Sequence, residues 1–225
     1  MIRLHVTAEG QTEKAFVKAV LAPHLANHKV FADARCVLTS KDKRAGKKHR
    51  GGLISYSKAK DDILRWTRED KDPACRFTTM FDLYALPDGF PGYADAKGLS
   101  DPYQRVRTLE HSLTKDIDDS RFLPYIQLHE FETLIFADPK KLDLEYLEHK
   151  RPIEKLVDMV GNGNPELIND GRETAPSKRI RKEIPEYDKA GSGVLVVEKI
   201  GVETLRRKCR HFNDWLTGLE NLGKP

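Results

Sequence analysis

Over roughly its first 140 residues the chain alternates short strand-like runs with longer stretches of helical periodicity, and that order leaves few folds open. Ile2 to Val6 alternates apolar and polar residues; Ala8-Glu9-Gly10 then turns the chain into Thr12 to Ala26, where Phe16, Val17, Val20 and Leu21 recur at helical spacing. Phe31 to Leu38 reads as a second strand, and Ser57 to Arg68 places Ile63, Leu64 and Trp66 on a helix. A third strand over Phe77 to Leu83 leads into a Pro/Gly-rich loop from Leu86 to Gly98 and a helix from about Asp101 to Ile117. Phe122 to Leu128 is a fourth strand, after which Glu130 to Phe136 begins another helix. Strand and helix in alternation predict an α/β fold, with a mainly parallel sheet covered by helices on both faces. Beyond Asp138 the pattern is helical, clearest in Ile153 to Val160, Ser177 to Ile184 and His211 to Leu222. The expected organisation is an α/β domain over 1–140 with a helical part over 141–225 packed on it, or one unit over 1–225.

A chain of 225 residues buries enough apolar surface to need no disulfide or zinc staple. Cys36, Cys75 and Cys209 are far apart and match no CxxC spacing, so they read as reduced thiols. No apolar run approaches the roughly 20 residues that span a bilayer. Strand-like sequence from Ile2 onward leaves no room for a signal peptide, so a cytoplasmic protein without membrane contact is expected. A net charge of +4 suits a polyanionic partner without demanding one.

Parallel sheets bind ligands beyond the carboxyl ends of their strands. Glu9 follows strand one, Asp82 lies near the end of strand three, and His129-Glu130-Phe131-Glu132 follows strand four, so these acids are expected at one edge of the sheet. Carboxylates so gathered suit a hard cation such as Mg2+ or Mn2+. Glu9 and Glu13 could equally be first-turn acids drawn to a helix dipole. Asp82 is harder to assign to structure alone, because a carboxylate within Phe77-Thr78-Thr79-Met80-Phe81-Asp82 is costly to bury without a partner. His129 and Glu132, three apart, would share a helix face, with Glu130 pointing elsewhere; His129 reads as a capping histidine or as a proton carrier.

Lys41, Lys43, Arg44, Lys47, Lys48 and Arg50 crowd one loop and could follow a phosphate backbone, or simply be solvated. Ser177-Lys178-Arg179-Ile180-Arg181-Lys182 follows Pro176 at a helix start, where backbone N–H groups and cations can hold phosphate. No Gly-x-x-x-x-Gly-Lys-Ser/Thr or Gly-x-Ser-x-Gly occurs, and Gly161-Asn162-Gly163-Asn164 reads as a turn. P-loop ATP hydrolysis, serine esterase chemistry and hydride transfer are therefore poor expectations.

Ala8-Glu9-Gly10-Gln11-Thr12-Glu13, Asp82-Leu83-Tyr84-Ala85-Leu86-Pro87 with Phe90-Pro91-Gly92, Pro124 through Glu132, and Pro176-Ser177-Lys178-Arg179 together resemble domain-of-unknown-function family 4276. Ile200-Gly201 and Cys209-Arg210-His211-Phe212-Asn213 extend the resemblance to about residue 219. That family is similar to the Toprim-like group, which includes nucleases of the overcoming-lysogenization-defect type. The resemblance implies a Rossmann-like sheet and magnesium held by a glutamate after strand one, matched by Glu9, and by acids after a later strand, matched by Asp82. Where the Toprim pattern has a second aspartate this chain has Tyr84, so Glu130 or Glu132 would have to supply the missing oxygen. The resemblance also implies phosphate binding by Lys178 and Arg179, and an ATPase encoded nearby in a phage-defence setting.

The function expected from all this is a metal-dependent nuclease. Glu9, Asp82, Glu130 and Glu132 would hold Mg2+ or Mn2+, with His129 orienting water and Glu13 and Tyr84 supporting them. Ser177, Lys178, Arg179, Lys47, Lys48 and Arg50 would contact DNA or RNA. The rival readings are a non-catalytic partner or sensor subunit of an ATPase complex and an RNA-binding module; a homo-oligomer is left open.

Overall fold

The computed structural model describes residues 1–37, 53, 55–168, 171 and 174–224, so Lys47, Lys48 and Arg50 lie outside the described residues. Strand β1 (Ile2–Ala8) turns Leu4 and Val6 to one side of the sheet, while His5 on the other side packs its ring against Trp66 and Phe77. This two-residue period forces the sheet to be covered twice. Strands β2 (Val30–Cys36) and β3 (Cys75–Asp82) flank β1, both parallel to it, with Ala8 opposite Cys36 and Met80. The fourth strand expected over 122–128 is broken into β4 (Phe122–Leu123) and β5 (Ile126–Gln127), both paired with β3. Pro124 has no N–H to give the ladder. Instead the Thr79 hydroxyl donates to the Tyr125 carbonyl and accepts from its N–H, each at 2.9 Å.

The resulting order is β2-β1-β3-β4, all parallel. Successive connections from β1 therefore run to opposite sides, and the order reverses between β1 and β3. That reversal opens a crevice at the carboxyl ends of those two strands, the place where open α/β sheets bind ligands.

On one face lie α1 (Gln11–Phe16), a π-helical turn over Val17–Leu21 and α2 (Ala22–Ala26), which continue one another. The other face carries α3 (Tyr56–Glu69) and α5 (Pro102–Ile117), with the short α4 (Tyr93–Lys97) packed on α5. The segment expected to begin a helix at Glu130 is a 3-10 helix over Phe131–Ala137, continued by another over Pro139–Leu144.

The remaining helices are α6 (Lys150–Val160), α7 (Pro176–Glu183), α8 (Val194–Ile200), α9 (Val202–Lys208) and α10 (Arg210–Asn221). They pack on the α1 face: one continuous cluster of buried residues joins Leu4, Val6 and Phe16 to Leu156, Ile180, Val197, Phe212 and Leu216. Trp215 stacks on Tyr125 with ring centres 4.0 Å apart, and its indole N–H donates to Thr78 at 3.0 Å. Fully buried aromatics of this size contribute several kcal/mol each, about 3–5 on truncation, so α10 is fastened to the sheet through its own core residues. Among the described residues no helix is long and apolar enough to cross a membrane.

Candidate active site

Glu9 and Asp82 flank the crevice between β1 and β3. Beyond Ala8 the chain keeps its hold on β3 by one more bond, from Glu9 N–H to the Met80 carbonyl at 3.0 Å. The Glu9 carboxylate then accepts from the Asp82 backbone N–H at 2.9 Å. Gly10 stands just before α1, and Glu13, buried, folds back to accept from its N–H at 2.9 Å. This capping arrangement explains Glu13 locally, yet the same side chain also faces the cleft.

Asp82 is buried. One of its oxygens lies 3.2 Å from the Lys189 ammonium and the other, Oδ1, has no hydrogen-bond partner. Glu132, fully buried, meets the same ammonium at 3.2 Å, and its Oε1 is likewise unpartnered. Lys189 thus joins two carboxylates distant in the chain. It reaches them from a π-helical turn over Lys189–Gly193, whose start is fixed by the Asp188 carboxylate accepting from Ala190 and Gly191 N–H. Glu130 turns to α7, where its carboxylate accepts from Ser177 N–H at 2.6 Å and from the Ser177 hydroxyl at 3.0 Å.

These groups edge a cleft of about 780 Å³, lined by Glu9, Glu13, Asp82, Glu130, Tyr84 and Ser177 together with Arg181 and Lys189; Glu132 sits behind Lys189. With Asp188 at the rim, five carboxylates against two cations leave the lining short of positive charge. Burial, then Asp82 and Glu13, push Glu9 well above the ordinary carboxyl range. For Glu13, burial and then Asp82 raise the pKa to about 7. Glu132 is pushed up to about 8 by burial, against the pull of Lys189, and Glu130 is raised by burial despite the bonds from Ser177. Lys189 moves the other way from an isolated buried amine. Burial opposes its charge, but Asp82, Glu132, Glu13 and Glu130 outweigh that and raise its pKa.

The sequence therefore brings Glu9, Glu13, Asp82, Glu130, Tyr84 and Ser177 to one place, with Glu132 directly behind. It does not bring His129 there. His129 adopts φ of +63°, so it is not one turn below Glu132 on a helix. Its Nε2–H donates to the Glu166 carbonyl at 2.9 Å, and burial holds its pKa down at about 4. Arg179 is committed elsewhere as well, since its guanidinium donates to the carbonyls of Thr174 at 2.6 Å and Ile168 at 3.0 Å. Lys178 is exposed on α7 and is not among the residues lining the cleft. Of the cations that do line it, Lys189 is one the sequence patterns left unremarked, whereas Arg181 belongs to the basic run after Pro176. A lone lysine before Ala190-Gly191-Ser192-Gly193 and an apolar helix was the available signal for the first.

The donor set fits a hard divalent cation in kind: all oxygen, deeply placed, with Asp82 Oδ1 and Glu132 Oε1 unpartnered. The spacing differs from a formed cation site, because among the described residues no three of these acids bring ligand atoms within 4.8 Å of one another. The Lys189 ammonium bridges Asp82 and Glu132, 3.2 Å from an oxygen of each.

The fold is a parallel α/β sheet with a carboxylate-lined cleft at its topological reversal. This chain belongs to the family described as Domain of unknown function (DUF4276), whose model matches residues 8–220. No curated protein and no solved structure matches it.

Proposed function

We propose that the cleft hydrolyses phosphodiester bonds of DNA or RNA with Mg2+ or Mn2+, and that the chain is a Toprim-like nuclease working in the cytoplasm. The observation carrying this reading is the surplus of buried carboxylate over cation at the switch point, with oxygens of Asp82 and Glu132 unpartnered. A polyanion would be repelled from such a lining unless further positive charge entered it. Glu9, Asp82, Glu130 and Glu132 are the residues that would hold the metal. Once bound, it would polarise a phosphoryl oxygen and lower the pKa of a water.

Arg181 and Lys189 then bring fixed positive charge toward a phosphate. Glu13, with a pKa of about 7, is the carboxyl suited to exchanging a proton near neutral pH. His129 has no such part in this reading, since it is neutral and anchored on Glu166. The resemblance to family 4276 suggests an ATPase encoded nearby as partner, in phage defence.

The test is cleavage of single- and double-stranded DNA and RNA by the full chain with Mg2+ or Mn2+, with and without that ATPase. Glu9→Gln and Asp82→Asn should each abolish metal-dependent cleavage while the fold is retained; cleavage that survives both substitutions overturns the reading.

One observation favours a second reading. Lys189 already neutralises Asp82 and Glu132, as a site without a metal would require. Under that reading the protein is a non-catalytic subunit of an ATPase complex. Neither Mg2+ nor Mn2+ would then bind in the cleft by calorimetry.

A further inference from the structure

A second group of ligating side chains lies at the opposite end of the sheet, where β1 and β2 begin. His24 is in α2, and His28 follows in the turn that leads through Lys29 to Val30, opposite Ile2. Four residues apart in the chain, the two rings lie tilted at 36° to one another with centres 5.2 Å apart and face α10. There the Glu220 carboxylate lies 2.7 Å from His24 Nε2 and 3.8 Å from His28 Nε2. Among the described residues this is the one set of three His, Cys, Asp or Glu side chains whose ligand atoms all fall within 4.8 Å of one another.

We infer that His24, His28 and Glu220 form a site for a borderline transition metal of the Zn2+ class, clamping the α2 turn to the carboxyl-terminal helix. Two imidazoles and one carboxylate with a fourth position left to water is a donor set suited to Zn2+. Metal–ligand bonds of about 2.0–2.2 Å in a tetrahedron set the donors about 3.4 Å apart. The observed separations of 2.7 and 3.8 Å straddle that value, so small side-chain rotations suffice. His28 is the most open of the three, with its side chain 36% exposed, which provides a path for the ion and room for a water.

The carboxylate is already oriented. Arg206 donates to Glu220 Oε1 at 2.5 Å, while its other nitrogens hold Asn213 at 3.1 Å and Thr217 at 3.2 Å. Such outer partners fix the direction of a ligating side chain. The arginine's charge also disfavours a cation bound by charge alone, such as Mg2+, and selects for metals that imidazole binds strongly.

The inference stands apart from the nuclease reading, since no residue is shared with the cleft. It is tested by titrating the full chain with Co2+ in excess Mg2+, following visible d–d absorption, and then displacing Co2+ with Zn2+. One Co2+ per chain with an intense low-symmetry band, lost on adding equimolar Zn2+, is expected. His24→Ala and His28→Ala should each weaken binding by about 100-fold, whereas Asp82→Asn leaves it unchanged. Folding is checked by circular dichroism, and the more exposed His28→Asn serves if the His24 variant fails to fold. A spectrum no different from aqueous Co2+, or a band surviving in the folded His28 variants, overturns the inference.

Discussion

Replacing Glu132 by Gln tests the electrostatics of the cleft directly, without reference to any substrate. The side chain is fully buried, and its pKa rises from an ordinary 4.5 to about 8, chiefly through burial. A carboxyl raised in this way binds its proton more tightly in the folded than in the unfolded chain. Its contribution is therefore most favourable below pH 4.5 and is lost as pH climbs through 8. Integrating that linkage between pH 5 and pH 8 gives a loss of about 3.5 kcal/mol from this one group. Gln keeps the shape of the protonated acid and cannot ionise, so Glu132→Gln should lack that fall. Urea unfolding at pH 5, 6.5 and 8, followed by fluorescence of the buried Trp66 and Trp215, reads the difference. The variant should be close to wild type at pH 5 and more stable by about 3 kcal/mol at pH 8. Parallel pH profiles for the two proteins would refute the reasoning.

Lys189→Met leaves Asp82 and Glu132 without their shared cation and should cost about 3–5 kcal/mol at pH 8 by urea unfolding, and less at pH 5, where protons can substitute for it. Glu166 is fully buried and accepts from Tyr103 OH and His211 N–H, each at 2.9 Å, and from Phe212 N–H at 3.1 Å, so it caps α10 from outside. Glu166→Ala should therefore destabilise the protein by about 3 kcal/mol in the same assay. His129→Ala should lower the thermal midpoint through the lost bond to the Glu166 carbonyl, yet leave Mn2+ binding in the cleft within about twofold of wild type by calorimetry.

The alternation that predicts the sheet is legible because a strand of period two and a helix of period 3.6 leave different marks, and β1, β2, β3, α3 and α5 lie where those marks fall. Strand four is not fully legible: Phe122 to Leu128 has the composition of a strand, but Pro124 interrupts the ladder and Thr79, from β3, repairs it. Glu9 and Asp82 were readable as partners because each ends a parallel strand, so topology alone brings them together. Lys189 was not, since it is 107 residues from Asp82 and lies in a Gly-rich turn whose placement depends on how α8 packs. The reading of His129 and Glu132 as one helix face failed for a local reason. His129 lies in the left-handed region, which turns its ring to Glu166 before the 3-10 helix begins. Arg179 and Arg181 show the same limit, for two arginines on one short helix divide between backbone anchoring and the cleft, and only the surrounding carbonyls decide which does which.

Glu130 has a double attachment, lining the cavity while its two oxygens are occupied by the first turn of α7. Any guest that recruits those oxygens must compete with Ser177, leaving an amide and a hydroxyl at that terminus to find new acceptors. Amide hydrogen exchange at Ser177 would thus register occupancy of the interior from the outer layer of the protein, like a tell-tale wired to a lock.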